Sequence, residues 1–380
     1  MPKVLFLTTA HHYDDDRIFH HQAKELVSHG FEIKICSLTS DCKSFINGIH
    51  IECFDILHKS VSEKTDIFLK VCKEFRPDAV IASEPVAVFG ARKYCKKTDC
   101  SLIYDITEWY PAMSMLRDYS GITKPFHAIK FLGIQILVGW FATHFIFGEK
   151  TKFFPLAYFF PFKKKLVLPY YPDQEFVQEN IKTFDPKSIV LCCTGAISED
   201  KGTGNFFKAA NLFQERNPHI QVKILIIGAA RNKQDEAYFY KLLAETLIKD
   251  IEIKEPTSFE KFTDSFAEAD ICFDLRSFNF ENHHSLPIKL FYYMSAGKPI
   301  IYSALKGIRK HSDVSKFGFL VNPEDTLQIV EKIEKYLQHP ELYSQHAVSA
   351  RKNFLEKYNW DKIRQTFTNF IRQSLPKPHS

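Results

Sequence analysis

Short apolar runs alternate with amphipathic stretches along the whole chain. In the first half, "KVLFLT", "FEIKICSL", "IHIEC", "DAVIAS", "SLIYDI", "THFIF" and "LVLP" predict strands. Between them, Arg17–His29 and Ser62–Phe75 carry the spacing of amphipathic helices. The pattern restarts in the second half with "SIVLCCTG", "VKILIIG", "IEIK", "DICFDL", "PIIYSA" and "GFLV". Strands that alternate with helices predict parallel sheets covered on both faces. Two such runs predict an α/β protein of two doubly wound domains, residues 1–170 and 186–360. The break falls in a proline- and polar-rich crossing from Leu168 to Ser188. Open sheets of this kind bind ligands at the carboxyl ends of their strands. Two facing sheets therefore predict a cleft for two substrates.

Composition changes little in this picture. At 380 residues, 45% apolar and 25% charged, the chain suits two globular domains. Nine cysteines include no C-x-x-C pair, which argues against a disulfide framework or zinc site and fits a reducing cytoplasm. The apolar run in "MPKVLFLTTAHH" is too short for a signal peptide and reads as a first strand.

Charge adds more. Of the formal +5, the stretch between Asp118 and Asp173 alone carries +6, seven lysines against Glu149. The same stretch holds "KFFPLAYFFPFKKK" (Lys152–Lys165). Aromatic groups edged by lysines suit contact with an anionic membrane surface over residues 124–165, and equally a core helix beside a solvated lysine cluster. Phe131–Gly148 is 18 residues without a formal charge, at the lower edge of the roughly 17–25 needed to span a bilayer. Its glycines and its Gln135, Thr143 and His144 divide it instead into a helix ending near Ala142 and a buried strand. No extended basic surface or binding signature points to nucleic acid.

Two stretches carry candidate chemistry. In "TGAISEDKGTGNFFKAA", Gly195, Gly202 and Gly204 free the backbone to approach a ligand, and Lys201 sits beside a helix predicted to start near Thr203. A helix N-terminus with a nearby lysine favours an anion, although an ordinary strand–helix turn has the same look. In "HSLPIKLFYYMSAGKPII" (His284–Ile301), Ser285 is placed to cap a helix, Pro287 to occupy its first turn and Gly297 to end it. That helix would offer its N–H groups to a diphosphate, with Lys289 one turn in and Tyr292 on the same side. No His/Cys/Asp cluster has metal-ligand spacing.

The second stretch resembles the "LPNKLFEYMAAGKPVI" element of the family 4 retaining glycosyltransferases, bacterial polysaccharide-biosynthesis type, which have the GT-B fold. Further segments are similar in order: "DDDRIFHHQAKELVSHGFEIKI", "LIYDITEWYP", "LVLPYYPD", "TGAISEDKG", "GFLVNPEDTLQIVEKIEKYL" and "EKYNW". The resemblance implies two Rossmann-like domains facing across a cleft, with a last helix over about 361–380 packing back on the first. It implies a nucleotide-sugar donor on the second domain, a glycan or lipid-linked acceptor on the first, and transfer with retention. By resemblance Lys201 takes the phosphate-binding lysine position, Ser285, Leu286 and Pro287 the turn near the donor, and Lys289 matches as well. Neither a cofactor nor a metal is expected.

Departures from the family pattern fall on polar positions. Tyr292 stands where the family carries a carboxylate toward the donor ribose, Ile288 replaces an Asn, Ala196 an Arg and Thr107 a His. Ser83-Glu84 replaces a His-Asp pair, and His284 stands where many members have a second Glu. A lost charged hydrogen bond costs about 1.5–3 kcal/mol, so compensation from Arg276, Arg231, His283 or His284 is needed if the donor is to be held. Asp105 and Glu108, at a strand end, are the best carboxylates for positioning an acceptor hydroxyl, and structural roles suit them equally. His11, His12, His20 and His21 lie in or near the first loop, while Asp14–Asp16 before Arg17 read as a helix start. Two function classes follow: a transferase in surface polysaccharide or glycan biosynthesis at the inner membrane face, or a non-catalytic scaffold of the same fold.

Overall fold

The computed structural model describes residues 1–108, 111–116 and 119–376. Trp109 and Tyr110 of "LIYDITEWYP", Asp118 and the last four positions of the expected C-terminal helix lie outside the described residues. The chain forms two compact units, Met1–Tyr170 with Ile363–Ser380, and Tyr171–Lys362.

In the first unit, β1 (Lys3–Thr8), β2 (Glu32–Ser37), β3 (Cys42–Ile46), β4 (Ile49–Cys53), β5 (Ala79–Ala82), β6 (Ser101–Ile106), β7 (His144–Phe147) and β8 (Lys165–Val167) form one sheet. Its order is β3-β4-β2-β1-β5-β6-β7-β8, parallel except for the antiparallel β3–β4 pair. The buried faces of β1, β5 and β6 supply Leu5, Leu7, Val80, Leu102 and Tyr104, and the helix Val61–Phe75 covers them with Phe68 and Val71. That helix starts in a capping box, in which Ser60 and Glu63 each accept a backbone N–H of the other. Strand β3 is absent from the sequence reading. It is a half-exposed edge strand, joined to β4 by Asn47-Gly48 with φ of +51° and +80°.

The stretch Phe131–Gly148 divides between the helix Lys124–Phe141 and β7. Among the described residues, no helix is long and apolar enough to cross a membrane. The last helix, Arg364–Ser374, belongs to the first unit, where Thr368 Oγ1 lies 3.5 Å from Glu25 Oε1 and Ser101 Oγ donates to the Ser374 carbonyl.

The second unit's sheet is wholly parallel, in the order β11-β10-β9-β12-β13-β14. Its strands are β9 (Ser188–Thr194), β10 (Gln221–Ile227), β11 (Asp250–Lys254), β12 (Ile271–Asp274), β13 (Ile300–Ser303) and β14 (Gly318–Val321). The run Ile271–Asp274 is buried at every position, as a central parallel strand requires. In both sheets the chain starts in the middle, moves outward on one side, then returns to the other. The strand order therefore reverses between β1 and β5 in the first unit and between β9 and β12 in the second, and such reversals open a crevice at the strands' carboxyl ends.

Candidate functional site

At the second unit's reversal, the loops after β9 and β12 are locked together. Gly202 has φ +77°, and a Cβ there would collide with the Leu275 carbonyl, so only glycine lets the first loop seat on the second. Gly195 has φ +99°, and a Cβ there would lie 3.2 Å from Lys289 Nζ. From this loop the helix Thr203–Arg216 departs.

Asp274, the last residue of β12, is the anchor of the cluster. Arg276 donates to both its oxygens, from Nε at 2.7 Å and from Nη2 at 2.6 Å, and Lys289 Nζ stands 3.2 Å away. Lys289 also donates to the Thr194 carbonyl at the end of β9. Burial pushes the Asp274 carboxyl up, but the charges of Arg276 and Lys289 outweigh it and hold the group well below the usual carboxylate range. Burial likewise opposes the Arg276 charge, and Asp274 more than restores it. One buried anion between two cations leaves this centre with net positive charge. Ser285 Oγ lies 3.5 Å from Arg276 Nη1. Lys201 is one-third exposed, its Nζ 3.5 Å from Asp200, and burial followed by repulsion from Arg276 lowers its pKa.

Several sequence expectations change here. Ser285 does not cap the helix that follows. Asn279 caps an earlier short helix, Phe280–His284, by accepting the N–H of Asn282 at 2.7 Å, and Ser285 closes that helix by donating to the Asn282 carbonyl. The chain is extended at Ser285, Pro287 disfavours helical geometry at Leu286, and helical dihedrals return at Ile288, just before the helix Lys289–Ser295. Lys289 is therefore at the helix start, not one turn in. Tyr292 does not stand on an open face. All residues from Leu290 to Ser295 are buried, and the Tyr292 ring meets the edge of Phe262 at 5.1 Å. His284 bonds the Phe280 carbonyl through Nδ1 at 2.7 Å and packs obliquely on the Phe280 ring within its own helix. Leu286 is half-buried.

The first unit's reversal is built from carboxylates. Glu84, just after β5, accepts from Thr8 Oγ1 and from the N–H of Thr9, both at 2.9 Å, and from the N–H of Ala10 at 3.3 Å. It thereby clamps the loop after β1. His11 bonds Asp15 at 3.0 Å, with Glu84 at 3.8 Å from its other ring nitrogen. The Asp15 bond raises the His11 pKa to about 9 against the opposing effect of burial. Asp15 also caps the π-helical segment Asp16–Ala23, accepting from the N–H groups of Arg17 and Ile18 at 3.0 Å each. His20 pairs with Asp14 at 2.8 Å, and burial depresses the His21 pKa to about 4.

Asp105 is a correction. It is 2% exposed, and Arg17 (3.2 and 3.0 Å) and Gln22 (2.9 Å) bind both its oxygens. It ties the end of β6 to the segment after the first loop, and this buried pairing makes its role structural. Glu108 is exposed, and it and Glu84 add to the field that favours a charged His11. Sequence reasoning missed Asp274, and it read Asp15 as part of a helix start, which its capping bears out, without its bond to His11. Both had a signal: Asp274 and Arg276 lie two apart at a strand end and so share a face, and His11 and Asp15 lie four apart. Among the described residues, no group of three or more His, Cys, Asp or Glu is placed to hold a metal ion.

Residues 174–353, within the second unit, match the family model of glycosyl transferases group 1. No curated protein matches the sequence. Solved structures resemble the chain over its length at low identity. Sucrose-phosphate synthase from Thermosynechococcus elongatus superimposes with a TM-score of 0.73 at 11% identity, covering 98% of this chain and 99% of that one. Anabaena Alr3699/HepE in complex with UDP-glucose gives 0.70 at 13% identity, covering 98% and 99%. An E. coli protein described as trehalose-6-phosphate, bound with UDP-2-fluoro glucose, gives 0.72 at 9% identity, covering 99% and 100%. The two Rossmann-like units together have the GT-B fold of these proteins.

Proposed function

We propose that the chain is a retaining glycosyltransferase that moves a sugar from a nucleotide-sugar donor to a glycan or lipid-linked acceptor in surface polysaccharide or glycan biosynthesis. The observation that carries this reading is the second unit's reversal, where Gly202 seats the two loops on each other and Arg276, Lys289 and Lys201 stand at the strand ends. In such a transfer the bond from the anomeric carbon to the diphosphate oxygen breaks, a bond to an acceptor hydroxyl oxygen forms, and the hydroxyl proton passes to the departing diphosphate. Negative charge grows on the departing diphosphate, and fixed cations with backbone N–H groups stabilise it without a metal. The match of residues 174–353 to group 1 glycosyl transferases and the UDP-sugars in two structural neighbours support a nucleotide-sugar donor. On the first unit, Glu108, exposed and adding to the field that favours a charged His11, is the carboxylate for the acceptor.

A second reading, a non-catalytic scaffold of the same fold, is favoured by Tyr292. Its ring is packed in the unit's interior where the related enzymes place a carboxylate, and Arg276 is already committed to Asp274. Nucleoside diphosphate release separates the two. A panel of nucleotide sugars with mixed glycan and lipid-linked acceptors should give turnover with one donor, and the product's anomeric proton coupling should match the donor's. Absence of turnover with every donor would favour the scaffold.

A further inference from the structure

The helix Lys124–Phe141 is apolar on two sides. One side enters the first unit's core through Gln135, Val138 and the following Ala142, with Gln135 Oε1 accepting from Tyr104 at 2.9 Å. The other side faces out. Ile122, Phe126, Ile129, Leu137 and Trp140 are 85%, 72%, 69%, 46% and 72% exposed. With Gly133 they recur every three or four residues and so form one continuous stripe. Gly139 lets the short helix Leu156–Phe159 pack closely, since a Cβ there would strike Leu156 and Phe160. That helix and the turn after it extend the patch with Tyr158, Phe159 and Phe162, the last 99% exposed. Scattered apolar residues are ordinary on a protein surface, but a contiguous aromatic patch marks an interaction site.

The surrounding charge selects the partner. Lys130, Lys150, Lys164 and Lys165 are exposed around the patch. The stretch's one carboxylate, Glu149, is buried and lies 3.1 Å from Lys152. Lys163 turns inward and donates to the carbonyls of Gly139 and Trp140 at the end of the long helix. A second copy of this chain would bring lysines against lysines, whereas an anionic bilayer meets both the charge and the aromatic groups. The long helix cannot lie inside the bilayer, because its Gln135 side is bound into the protein.

We propose that this face, Ile122–Trp140 with Tyr158–Lys165, docks the first unit on an anionic membrane, the helix lying in the headgroup boundary with its outer stripe inserted. The inference deepens the reading of a lipid-linked acceptor by naming the surface that would bring the protein to it. It stands on the first unit alone, so vesicle binding and sugar transfer can fail separately.

Co-flotation tests it, using vesicles of phosphatidylcholine alone and of phosphatidylcholine with phosphatidylglycerol. Binding is expected only to the anionic vesicles, with a blue shift in Trp140 emission that is absent from Trp140→Phe. Phe126→Ser with Phe162→Ser should abolish binding, and Lys164→Glu with Lys165→Glu should weaken it about tenfold or more, given roughly 1 kcal/mol per lysine near an anionic surface. These side chains are exposed, so unchanged melting temperatures would show that the variants fold. Equal binding to both vesicle types, or none to either, overturns the proposal. So does concentration-dependent dimerisation of the native chain that the Phe126→Ser, Phe162→Ser variant removes, since the face would then be an interface between copies.

Discussion

The two strand-order reversals share a topology and differ in chemistry. In the first unit, carboxylates hold the loop: Glu84 gathers N–H groups after β1, Asp15 caps the next segment, and Asp105 is closed by Arg17 and Gln22. In the second unit, Gly202 seats the loops on each other, Asp200 ties them through Asn279, and the buried Asp274 is outnumbered by Arg276 and Lys289. Backbone donors satisfied by carboxylates have little left for an anion. The cationic charge of Arg276, Lys289 and Lys201 at the second reversal is suited to one. The contrast supports the proposed placement of the phosphate-bearing substrate on the second unit.

The largest effect should come from removing the outnumbered carboxylate. Asp274→Ala leaves Arg276 and Lys289 without their counter-charge in a buried site and should cost about 3–5 kcal/mol in urea-induced unfolding. If it is tolerated, Asp274 is not the anchor of the cluster. Gly202→Ala comes next. Its φ of +77° and the collision with the Leu275 carbonyl should cost about 1–3 kcal/mol and separate the two loops, seen as lost stability together with lost nucleotide affinity.

The first unit offers a pH-dependent counterpart. His11 is raised to about 9 by its bond to Asp15, so its stabilising contribution is full below its unfolded value near 6.5 and disappears as the pH rises through about 9. For Asp15, burial works upward but the bonds from His11 and Ile18 win, so its contribution is lost as the pH falls through its lowered folded value. NMR titration of the His11 ring should report a midpoint near 9, moving back toward 6.5 in Asp15→Asn. An unchanged midpoint would show that Asp15 is not the cause. Lys201→Ala should be the mildest, within about 0.5 kcal/mol of native stability because the side chain is partly exposed, with its effect confined to ligand affinity.

Much of the architecture was legible in the sequence because strand–helix alternation leaves its period in the apolar positions. Thirteen predicted runs coincide with strands, and the helix after Gly202 starts at Thr203. Strand β3 escaped because "CKSFI" is half-exposed and packs on one side only, although Asn47-Gly48 announced the hairpin. The candidate site was less legible. Ser285 was read as a cap because its local pattern fits one, yet Asn279, six residues earlier, claims the preceding turn and Pro287 delays the next helix. Asp105 looked like an open carboxylate because Arg17, its partner, is 88 residues away in sequence. Tyr292 looked like a ligand-facing position because nothing local foretells Phe262 beneath it. Local signals place elements, while pairings across the chain decide which polar groups stay available.

The central assignment is most directly tested by calorimetric titration of nucleoside diphosphates into the native chain and into Lys201→Ala. The expected result is one base-selective nucleotide, with affinity about tenfold or more weaker in a variant that melts like the native protein, as the loss of a charged phosphate contact implies. Absence of binding by every nucleoside diphosphate at millimolar concentration, or equal affinity in the variant, would contradict a donor site at the β9–β12 reversal.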